Sequence, residues 1–327
     1  MFETKSELRS IATIAAVAAI IGAGLIAAPA QAANAFASTD TYLKNSFVAG
    51  QYIEGFTPGK PDFGFTLEAL LQRKAMGESA ASLATATAYN LTNASVTGTE
   101  ENPVGYLFDA NKRVKLGIAG KFVFTSAVLK AKNAATRRGI INDILSKIDG
   151  TGDIAANMSA NTFDRAWVVL ALQANGFGRQ ATSLAIHMSS HQLADGGFND
   201  GYDLGVGSPD GTGIVLQALG AVNPANKAQA KVIAASETKA AAYLNKTAVS
   251  GNHYEAYGDY SVNSTAYAAM GLAAAGKKSY AIKTWLIGKL AADGGLQTSW
   301  SAGAGDVYAT AQGAVALLGQ SYLNLIK

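Results

Sequence analysis

The chain has 327 residues, of which 49% are hydrophobic and only 15% are charged, so it can bury a large core under a surface of mainly small, weakly polar residues. The net charge is +3, and the basic residues are scattered, which excludes the clustered positive footprint of a nucleic-acid-binding protein. The chain contains no cysteine, which excludes disulfides, thiol nucleophiles and cysteine metal ligands.

Residues 1–32 have the pattern of a signal peptide. Lys5 and Arg9 lie near the start, an unbroken run of apolar and small residues extends from Ile11 to Ala28, and Ala30-Gln31-Ala32 forms a small-x-small cleavage site. We expect cleavage after Ala32, which leaves a single domain over 33–327 that is secreted or associated with the cell envelope and has no stable membrane span. The apolar run is near the lower limit for crossing a bilayer, so an uncleaved anchor is the alternative.

Six segments of the mature chain are apolar nearly all round and recur at intervals of roughly fifty residues. They begin near residues 62, 121, 163, 210, 263 and 306. Helices with one polar face are predicted before and between them, at 39–47, 79–91, 134–148, 178–193, 225–244 and 277–292. A helix that is apolar all round must be covered on all sides, whereas a helix with a polar face lies outside. The alternation predicts an all-α fold, an (α/α)6 toroid of six inner and six outer helices, with an open helical solenoid as the alternative.

The ends of these helices carry stop and start residues. Asp, Asn or Thr lies near the start of each inner helix, where its side chain is expected to cap exposed backbone N–H groups. Gly77, Gly176 and Gly276 follow predicted helices and suit the left-handed conformation of a C-cap.

Two turns share a sequence pattern. In one, Gln192 precedes Asp195-Gly196-Gly197-Phe198, and in the other, Trp285 precedes Asp293-Gly294-Gly295-Leu296. These turns resemble the glutamine–tryptophan repeat of squalene and oxidosqualene cyclases and of protein prenyltransferases. Asp-Gly-Gly supplies positive-φ residues for a tight reversal, and we expect Gln192 to cap the next helix and an aromatic ring to pack over the turn. The resemblance is clearest over residues 160–325 and implies the toroid fold, which hosts several activities.

The same resemblance makes Asp210 the one catalytic candidate. Bacterial squalene–hopene cyclases carry Asp-x-Asp-Asp-Thr at the start of an inner helix, with the middle aspartate as general acid. The matching residues here are Ser208-Pro209-Asp210-Gly211-Thr212, so the middle aspartate is kept and both flanking carboxylates are replaced. Protonating an alkene requires an acid that its neighbours hold protonated, and an N-cap role for Asp210 is therefore the competing interpretation.

The residue types exclude the zinc chemistry of prenyltransferases. The zinc-binding stretches of that family correspond here to Asp210-Gly211-Thr212 and to Asp306-Val307-Tyr308-Ala309. Thr212 and Ala309 replace its cysteine and histidine, whereas a catalytic zinc site needs three protein ligands. His187 and His191 have a metal-compatible spacing but lack the glutamate of the His-Glu-x-x-His pattern. We expect no metal and no cofactor.

Aromatic and acidic residues of the inner helices are the predicted ligand contacts. Their rings either line a funnel-like lumen or pack between the two rings of helices, and the carboxylates lie near the mouth. A concave, aromatic-lined site with a few polar groups is typical of ligand pockets. The predicted ligand-binding residues are Asp164, Trp167, Asp306, Tyr308, Tyr267 and Phe124.

Three functions fit these residues. The leading hypothesis is a non-catalytic exported module that binds a small apolar or amphipathic ligand, or a protein partner, at the lumen mouth. The second is an isoprenoid cyclase or transferase with Asp210 as acid. Export counts against it, as does a chain with room for one helical domain, because the cyclase family builds its cavity between two. The third is a glycan lyase or hydrolase on the same toroid class, which needs paired carboxylates from among Glu68, Asp164, Asp210 and Asp306.

Overall fold

The computed structural model describes residues 36–92, 102–155, 161–201, 205–277, 279–301 and 303–326. The predicted signal peptide and its cleavage site lie outside these residues. Within the described ranges, no helix is long and apolar enough to cross a membrane.

Six helices form a closed inner ring. Each one packs against the next in chain order, and the last packs against the first. This closure confirms the toroid and rules out the open solenoid. The inner helices are α2 (Phe63–Ala75), α4 (Leu116–Val128), α6 (Thr162–Ala174), α8 (Pro209–Ala221), α10 (Val262–Ala274) and α12 (Val307–Leu317).

The outer layer consists of helices with one buried face. In α5, for example, Ile140, Ile141 and Ile144 are buried at the spacing of one helix face. The outer helices are α1 (36–45), α3 (Ala84–Thr87, continued by the π-helical turn Ala88–Thr92), α5 (Ala134–Leu145), α7 (Gly178–Ser190), α9 (Lys227–Thr247) and α11 (Tyr280–Ile287).

Short strands and 3-10 turns complete the chain. Hairpin β1 (Phe47–Val48) with β2 (Tyr52–Ile53) precedes α2, and hairpin β3 (Tyr254–Ala256) with β4 (Asp259–Ser261) precedes α10; both are antiparallel. The 3-10 turns are Gly105–Leu107 and Tyr322–Leu325. The β3–β4 hairpin forms one side of the toroid mouth, which lies at the N-terminal ends of α8 and α10.

Glycines allow the inner helices α8 and α10 to touch through their backbones. A Cβ atom at Gly271 would lie 2.5 Å from the carbonyl oxygen of Gly213, and a Cβ atom at Gly213 would overlap the carbonyl oxygen of Tyr267. Because backbone atoms cannot move aside as a flexible side chain can, this crossing requires glycine at both positions.

Side chains cap every inner helix except α4, but the predicted residue types hold the cap position only at α2, α6 and α12, because serines cap α8 and α10. Lys115 holds the N-cap position of α4 and makes no side-chain capping bond. The predicted start of this helix near 121 is wrong, because α4 begins at Leu116 and Lys121 lies in its middle. The left-handed C-cap conformation is confirmed at Gly77, Gly176 and Gly276. The residues that cap the other inner helices are Asp62, Asn161, Ser208, Ser261 and Asp306.

A buried threonine in the first turn of four inner helices ties each helix to the strand or turn before it. In each case the threonine Oγ1 accepts a backbone hydrogen bond of 2.8–3.0 Å. Since a buried N–H group must be paired, these threonines have a structural role in the repeat. Thr212, which matches the threonine of the cyclase motif, is one of them. The donor and acceptor pairs are Ile53 with Thr66, Phe198 with Thr212, Tyr254 with Thr265, and Leu296 with Thr310.

The Asp-Gly-Gly turns have the predicted tight geometry. Asp195 accepts hydrogen bonds from the backbone N–H groups of Gly197 (2.8 Å) and Gly207 (3.3 Å), and Gly196 has a φ of 91°. The ring over this turn belongs to Tyr243, whose hydroxyl donates to the carbonyl of Gly207. The second turn repeats the arrangement with Asp293, Gly294, Gly295, Gly305 and Tyr42.

Gln192 does not have the predicted role. Its side-chain amide donates to the carbonyls of Gly196 (2.8 Å) and Ser236 (3.0 Å), so it ties the turn to the outer helix α9. The next inner helix is capped by Ser208 instead, because Ser208 is the residue with extended backbone immediately before the first helical turn.

The two ends of the described chain complete the ring. Thr39 in α1 donates to the carbonyl of Gly294 (2.9 Å), which places α1 against the last Asp-Gly-Gly turn. Near the C-terminus, the N–H of Tyr322 donates to Gln217 of α8 (2.9 Å), and its hydroxyl accepts from Gln72 of α2 (3.0 Å). Tyr322 therefore fills the space between opposite helices near their C-terminal ends.

Candidate functional site

A buried carboxylate lies in the middle of the ring. Glu68 of α2 is 1% exposed and forms an ion pair with Lys121 of α4. It accepts hydrogen bonds from the Tyr267 hydroxyl of α10 (2.6 Å) and from Gln312 of α12 (3.4 Å). Residues from three other inner helices thus converge on one carboxylate, as expected when a charge is removed from water.

The surroundings of Glu68 keep the Tyr267 phenol protonated. Burial and the Glu68 charge raise the pKa of Tyr267 well above its ordinary value, so the phenol stays a hydrogen-bond donor at neutral pH. The Lys121 ammonium also lies 5.2 Å from the ring centroid of Trp167, a cation–π contact. Sequence reasoning named Glu68 only as a member of a carboxylate pair and missed its partner, Lys121.

Three of the predicted ligand-binding residues lie buried around this ion pair. Trp167, Tyr267 and Phe124 are fully buried. The Trp167 ring centroid lies 6.0 Å from that of Phe124 and 5.4 Å from that of Tyr322. These rings touch in edge-on or tilted arrangements, and a ligand between them would have to displace existing contacts. Their role in ligand binding stays a prediction.

Asp210 lies at the mouth of the toroid, and the N-cap interpretation of this residue is wrong. The cap of α8 is Ser208, whose Oγ accepts from the N–H of Gly211 (3.4 Å), and Pro209 occupies the first helical position. The Asp210 carboxylate instead reaches across to α10, where Oδ2 accepts a 2.6 Å hydrogen bond from Ser264.

The environment of Asp210 changes its acidity. Burial raises the pKa of this carboxyl to about 6, and the charges of Asp200 and Glu68 act in the same direction, while the hydrogen bond from Ser264 opposes the rise. Because Ser264 donates, it favours the ionised form. Asp210 is therefore partly protonated in mildly acidic solution and mainly ionised at neutral pH.

The remaining predicted residues lie apart from Asp210. Burial raises the pKa of Asp164, which lies in the first turn of α6 against Gly117 of α4. Asp306 caps α12 by accepting from the N–H of Ala309 (2.8 Å). Tyr308 donates to the carbonyl of Glu54 (3.0 Å). Asp306 thus caps its own helix and Tyr308 ties α12 to the strand region near the start of the chain, and neither lines the groove beside Asp210.

A groove of about 520 Å³ lies beside Asp210. Its walls are the start of α8, the β3–β4 hairpin, the start of α10 and the loop before α12. Two aromatic side chains in these walls are strongly exposed, Tyr257 at 100% and Trp300 at 71%. Three carboxylates, Asp200, Asp210 and Glu255, also line the groove, and none of its described lining residues is basic.

One feature of the sequence does indicate this groove. Tyr257 and Gly258 both have positive φ, 56° and 85°, and form the turn of the β3–β4 hairpin. A glycine turn between two short, tyrosine-rich runs is typical of a hairpin. The hairpin is what brings Tyr257 to the mouth.

The described residues offer little to a metal or to a carboxylate pair. They contain no group of three or more His, Cys, Asp or Glu side chains that could hold a metal ion. His191, one of the two histidines with a metal-compatible spacing, lies 3.4 Å from the Asp153 carboxylate. Of the carboxylates considered for glycan chemistry, Glu68 is held by Lys121 and Asp306 caps its own helix.

Comparisons with known proteins agree with the architecture. A scan against protein-family models finds no match, and a search of curated proteins finds none either. Among solved structures, the type II terpene cyclase MstE from Scytonema is similar. A variant bound to its substrate, geranylgeranyl dihydroxybenzoate, matches with a TM-score of 0.64 and 13% identity over 90% of this chain and 98% of that one.

Two further structures of the same cyclase match in the same way. The apo form gives a TM-score of 0.61 at 14% identity, over 88% of this chain and 98% of that one. A variant with the product merosterolic acid A gives 0.62 at 11% identity, over 88% and 96%. Because a terpene cyclase chain is matched almost completely by this one, the argument that a single helical domain counts against a cyclase is wrong. At these identities the likeness concerns the fold, and the chain has a squalene/terpene-cyclase-like α/α toroid fold.

Proposed function

We propose that this chain is an exported protein that binds an amphipathic small molecule at the mouth of its toroid, in the groove beside Asp210. The observation that carries the proposal is the combination, in one concave surface, of exposed aromatic rings with a half-buried carboxylate. Apolar surface with a few convergent polar groups is the usual composition of a small-molecule site.

The exposure of Tyr257 and Trp300 supports this proposal. Large aromatic side chains gain about 1.5–3 kcal/mol when they are fully buried, so two of them at the edge of one groove form a surface that a ligand stabilises by covering it. The packing of Trp167, Phe124 and Tyr322 further inside also favours the mouth, because a ligand can enter the groove without disturbing those contacts.

The test uses the mature chain, residues 33–327, and the uncharged fluorescent amphipath N-phenyl-1-naphthylamine. We expect saturable binding that Trp300→Ala and Tyr257→Ala each weaken by roughly 10-fold or more, the equivalent of losing one aromatic contact. Tyr280→Ala is the matched control, because Tyr280 is 77% exposed but lies at the start of α11, outside the groove. Equal affinities in the groove variants and this control would overturn the proposal.

A catalytic role for Asp210 is the second candidate. It is favoured by the pKa of about 6 at this half-buried carboxyl and by the shared fold with a type II terpene cyclase over nearly the whole of that chain. Ser208 and Gly211 stand where the cyclase motif has its flanking carboxylates, which counts against it. The hydrogen bond from Ser264 also counts against it, since this bond stabilises the anion and not the acid.

Incubation with geranylgeranyl dihydroxybenzoate, followed by mass spectrometry, separates the two candidates. For a binding protein we expect unchanged substrate from both the wild type and Asp210→Asn. A cyclised product that Asp210→Asn abolishes, with the melting temperature unchanged, would establish the enzyme and refute a purely binding role.

A further inference from the structure

We propose that the ligand of the mouth groove is an organic cation, an ammonium or quaternary ammonium group carried on an apolar body. This inference rests on the proposed binding function of the groove and names the class of ligand. It follows from the charge of the groove walls, from the free rings at the edge of the groove and from the position of Asp210.

The groove is acidic although the protein is not. The whole chain has a formal net charge of +3, whereas Asp200, Asp210 and Glu255 line the groove and no described lining residue carries a positive charge. Such a local reversal of sign attracts cations and repels anions. A carboxylate-bearing or phosphate-bearing ligand would meet three like charges here.

The aromatic rings supply the second half of the site. An ammonium group is attracted to the face of an aromatic ring, and tryptophan is the most favourable partner. Tyr257 and Trp300 border the groove and are largely exposed, so their faces are accessible. A cation whose apolar body covers these rings also removes their apolar surface from water.

A neighbouring contact shows the same chemistry within the chain. The ammonium of Lys289 lies 3.6 Å from the ring centroid of Tyr260 and 4.9 Å from that of Trp285, and Trp285 stacks on His253 at 4.9 Å. Tyr260 also lines the groove, but Lys289 already covers one face of it. We therefore assign Tyr257 and Trp300, and not Tyr260, to the ligand.

Asp210 is fixed before any ligand arrives. Ser264 donates to Oδ2 of Asp210 at 2.6 Å, and Ser261 donates to Ser264 at 2.9 Å. This chain of hydroxyls sets the orientation of the carboxylate, so little ordering is required on binding. Glu255 is exposed on the hairpin and contributes charge at the outer edge of the groove.

The experiment compares three soluble compounds that share a phenylalkyl body: phenethyltrimethylammonium, the uncharged 2-phenylethanol and the anionic 3-phenylpropionate. Each competes with N-phenyl-1-naphthylamine for the mature chain at low salt. We expect the cation to displace the probe at a concentration at least about 10-fold lower than the alcohol, and the anion to be the weakest. Added salt should weaken the cation alone, since screening acts on the charge.

Two variants test whether the preference for the cation depends on a carboxylate of the groove. Glu255→Gln is expected to weaken the cation about 3- to 10-fold and to leave 2-phenylethanol unchanged, whereas Asp143→Asn, an exposed carboxylate on α5 outside the groove, should change neither. Far-UV circular dichroism confirms that both variants are folded.

Two results would overturn the inference. If 2-phenylethanol or the anion displaces the probe as well as the cation does, the ligand is not selected by charge, although the proposed binding function stands. If the probe itself binds independently of Trp300 and Tyr257, the proposed function fails and this inference fails with it.

Discussion

Lys121→Met tests the buried ion pair at the centre of the toroid. The change removes the ammonium group and keeps most of the hydrocarbon stem. The Lys121 side chain is 12% exposed and Glu68 is 1% exposed, so the variant leaves a carboxylate where water has little access. Removing one partner of a buried pair costs roughly 3–5 kcal/mol. Since the 2.6 Å hydrogen bond from Tyr267 is kept, we expect a loss near the lower limit, about 3 kcal/mol.

The double variant Lys121→Met with Glu68→Gln separates the pair from other effects. Glu68→Gln alone leaves Lys121 with the Trp167 ring and some access to solvent, and we expect a loss of about 1–2 kcal/mol. The double variant has no unpaired charge, and neutral replacement of a buried pair is often tolerated. We therefore expect the double variant to be more stable than Lys121→Met, with a coupling energy of about 3 kcal/mol.

Urea denaturation of the mature chain, followed by circular dichroism, measures these losses. With a slope of about 3 kcal/mol per molar urea, Lys121→Met should lower the midpoint by about 1 M. Arg113→Met is the matched control, because the Arg113 side chain is 58% exposed in its ion pair with Asp109 and exposed pairs contribute little. If the two variants shift the midpoint equally, or the double variant shows no coupling, Lys121 does not hold Glu68 in place.

Three other predictions follow from the packing, the acidity and the sequence of the chain. Gly213→Ala should destabilise the fold by about 3 kcal/mol or more, because its Cβ would overlap the backbone of α10. Gly139→Ala is the control, since there is open space around its Cβ, and it should be neutral or slightly stabilising. Equal melting temperatures for the two variants would refute the close approach of α8 and α10. The pKa of Asp210 is about 6 when folded against an ordinary 3.8, so the folded state binds this proton more tightly and the group's stabilising contribution is lost as the pH rises from 4 to 6. Over this pH interval the urea midpoint of Asp210→Asn should therefore rise relative to that of the wild type. A constant difference between the two midpoints would contradict the raised pKa. Expression of the full chain should yield a protein whose first residue follows Ala32, and N-terminal sequencing that finds the intact start would indicate the uncleaved anchor.

The ring of inner helices was predictable because each inner helix can be recognised from its own segment of the sequence. All six segments are apolar nearly all round, and that property depends on local sequence alone. The start of α4 was missed for a related reason. Lys115 is not a capping residue, and Lys121 resembled a helix boundary because charged residues seldom lie inside a buried helix. Its partner, Glu68, belongs to a different repeat, so no local pattern could reveal the pair.

The candidate site was only partly predictable for the same physical reason. Asp210 was found through a local motif, but the rest of the groove comes from separate repeats. Glu255 and Tyr257 lie on the hairpin before α10, and Trp300 lies in the loop before α12. Their proximity depends on closure of the ring and on the β3–β4 turn. A pattern in the sequence indicates which residues are exposed in a loop, but not which loops meet.

Thr212 and Asp210, the two residues that match the cyclase motif, have different roles in this structure. Thr212 is kept because the hydroxyl pairs with the backbone N–H of Phe198, an arrangement that recurs at Thr66, Thr265 and Thr310 and that any chain of this fold can use. The carboxylates that would hold Asp210 protonated are absent from the motif, and Ser264 favours its anion instead. Thr212 thus stabilises the ring, whereas Ser208 and Gly211 replace the two carboxylates that would support Asp210 as a strong acid. An ionised Asp210 beside exposed rings is suited to hold a cation at the mouth of the toroid.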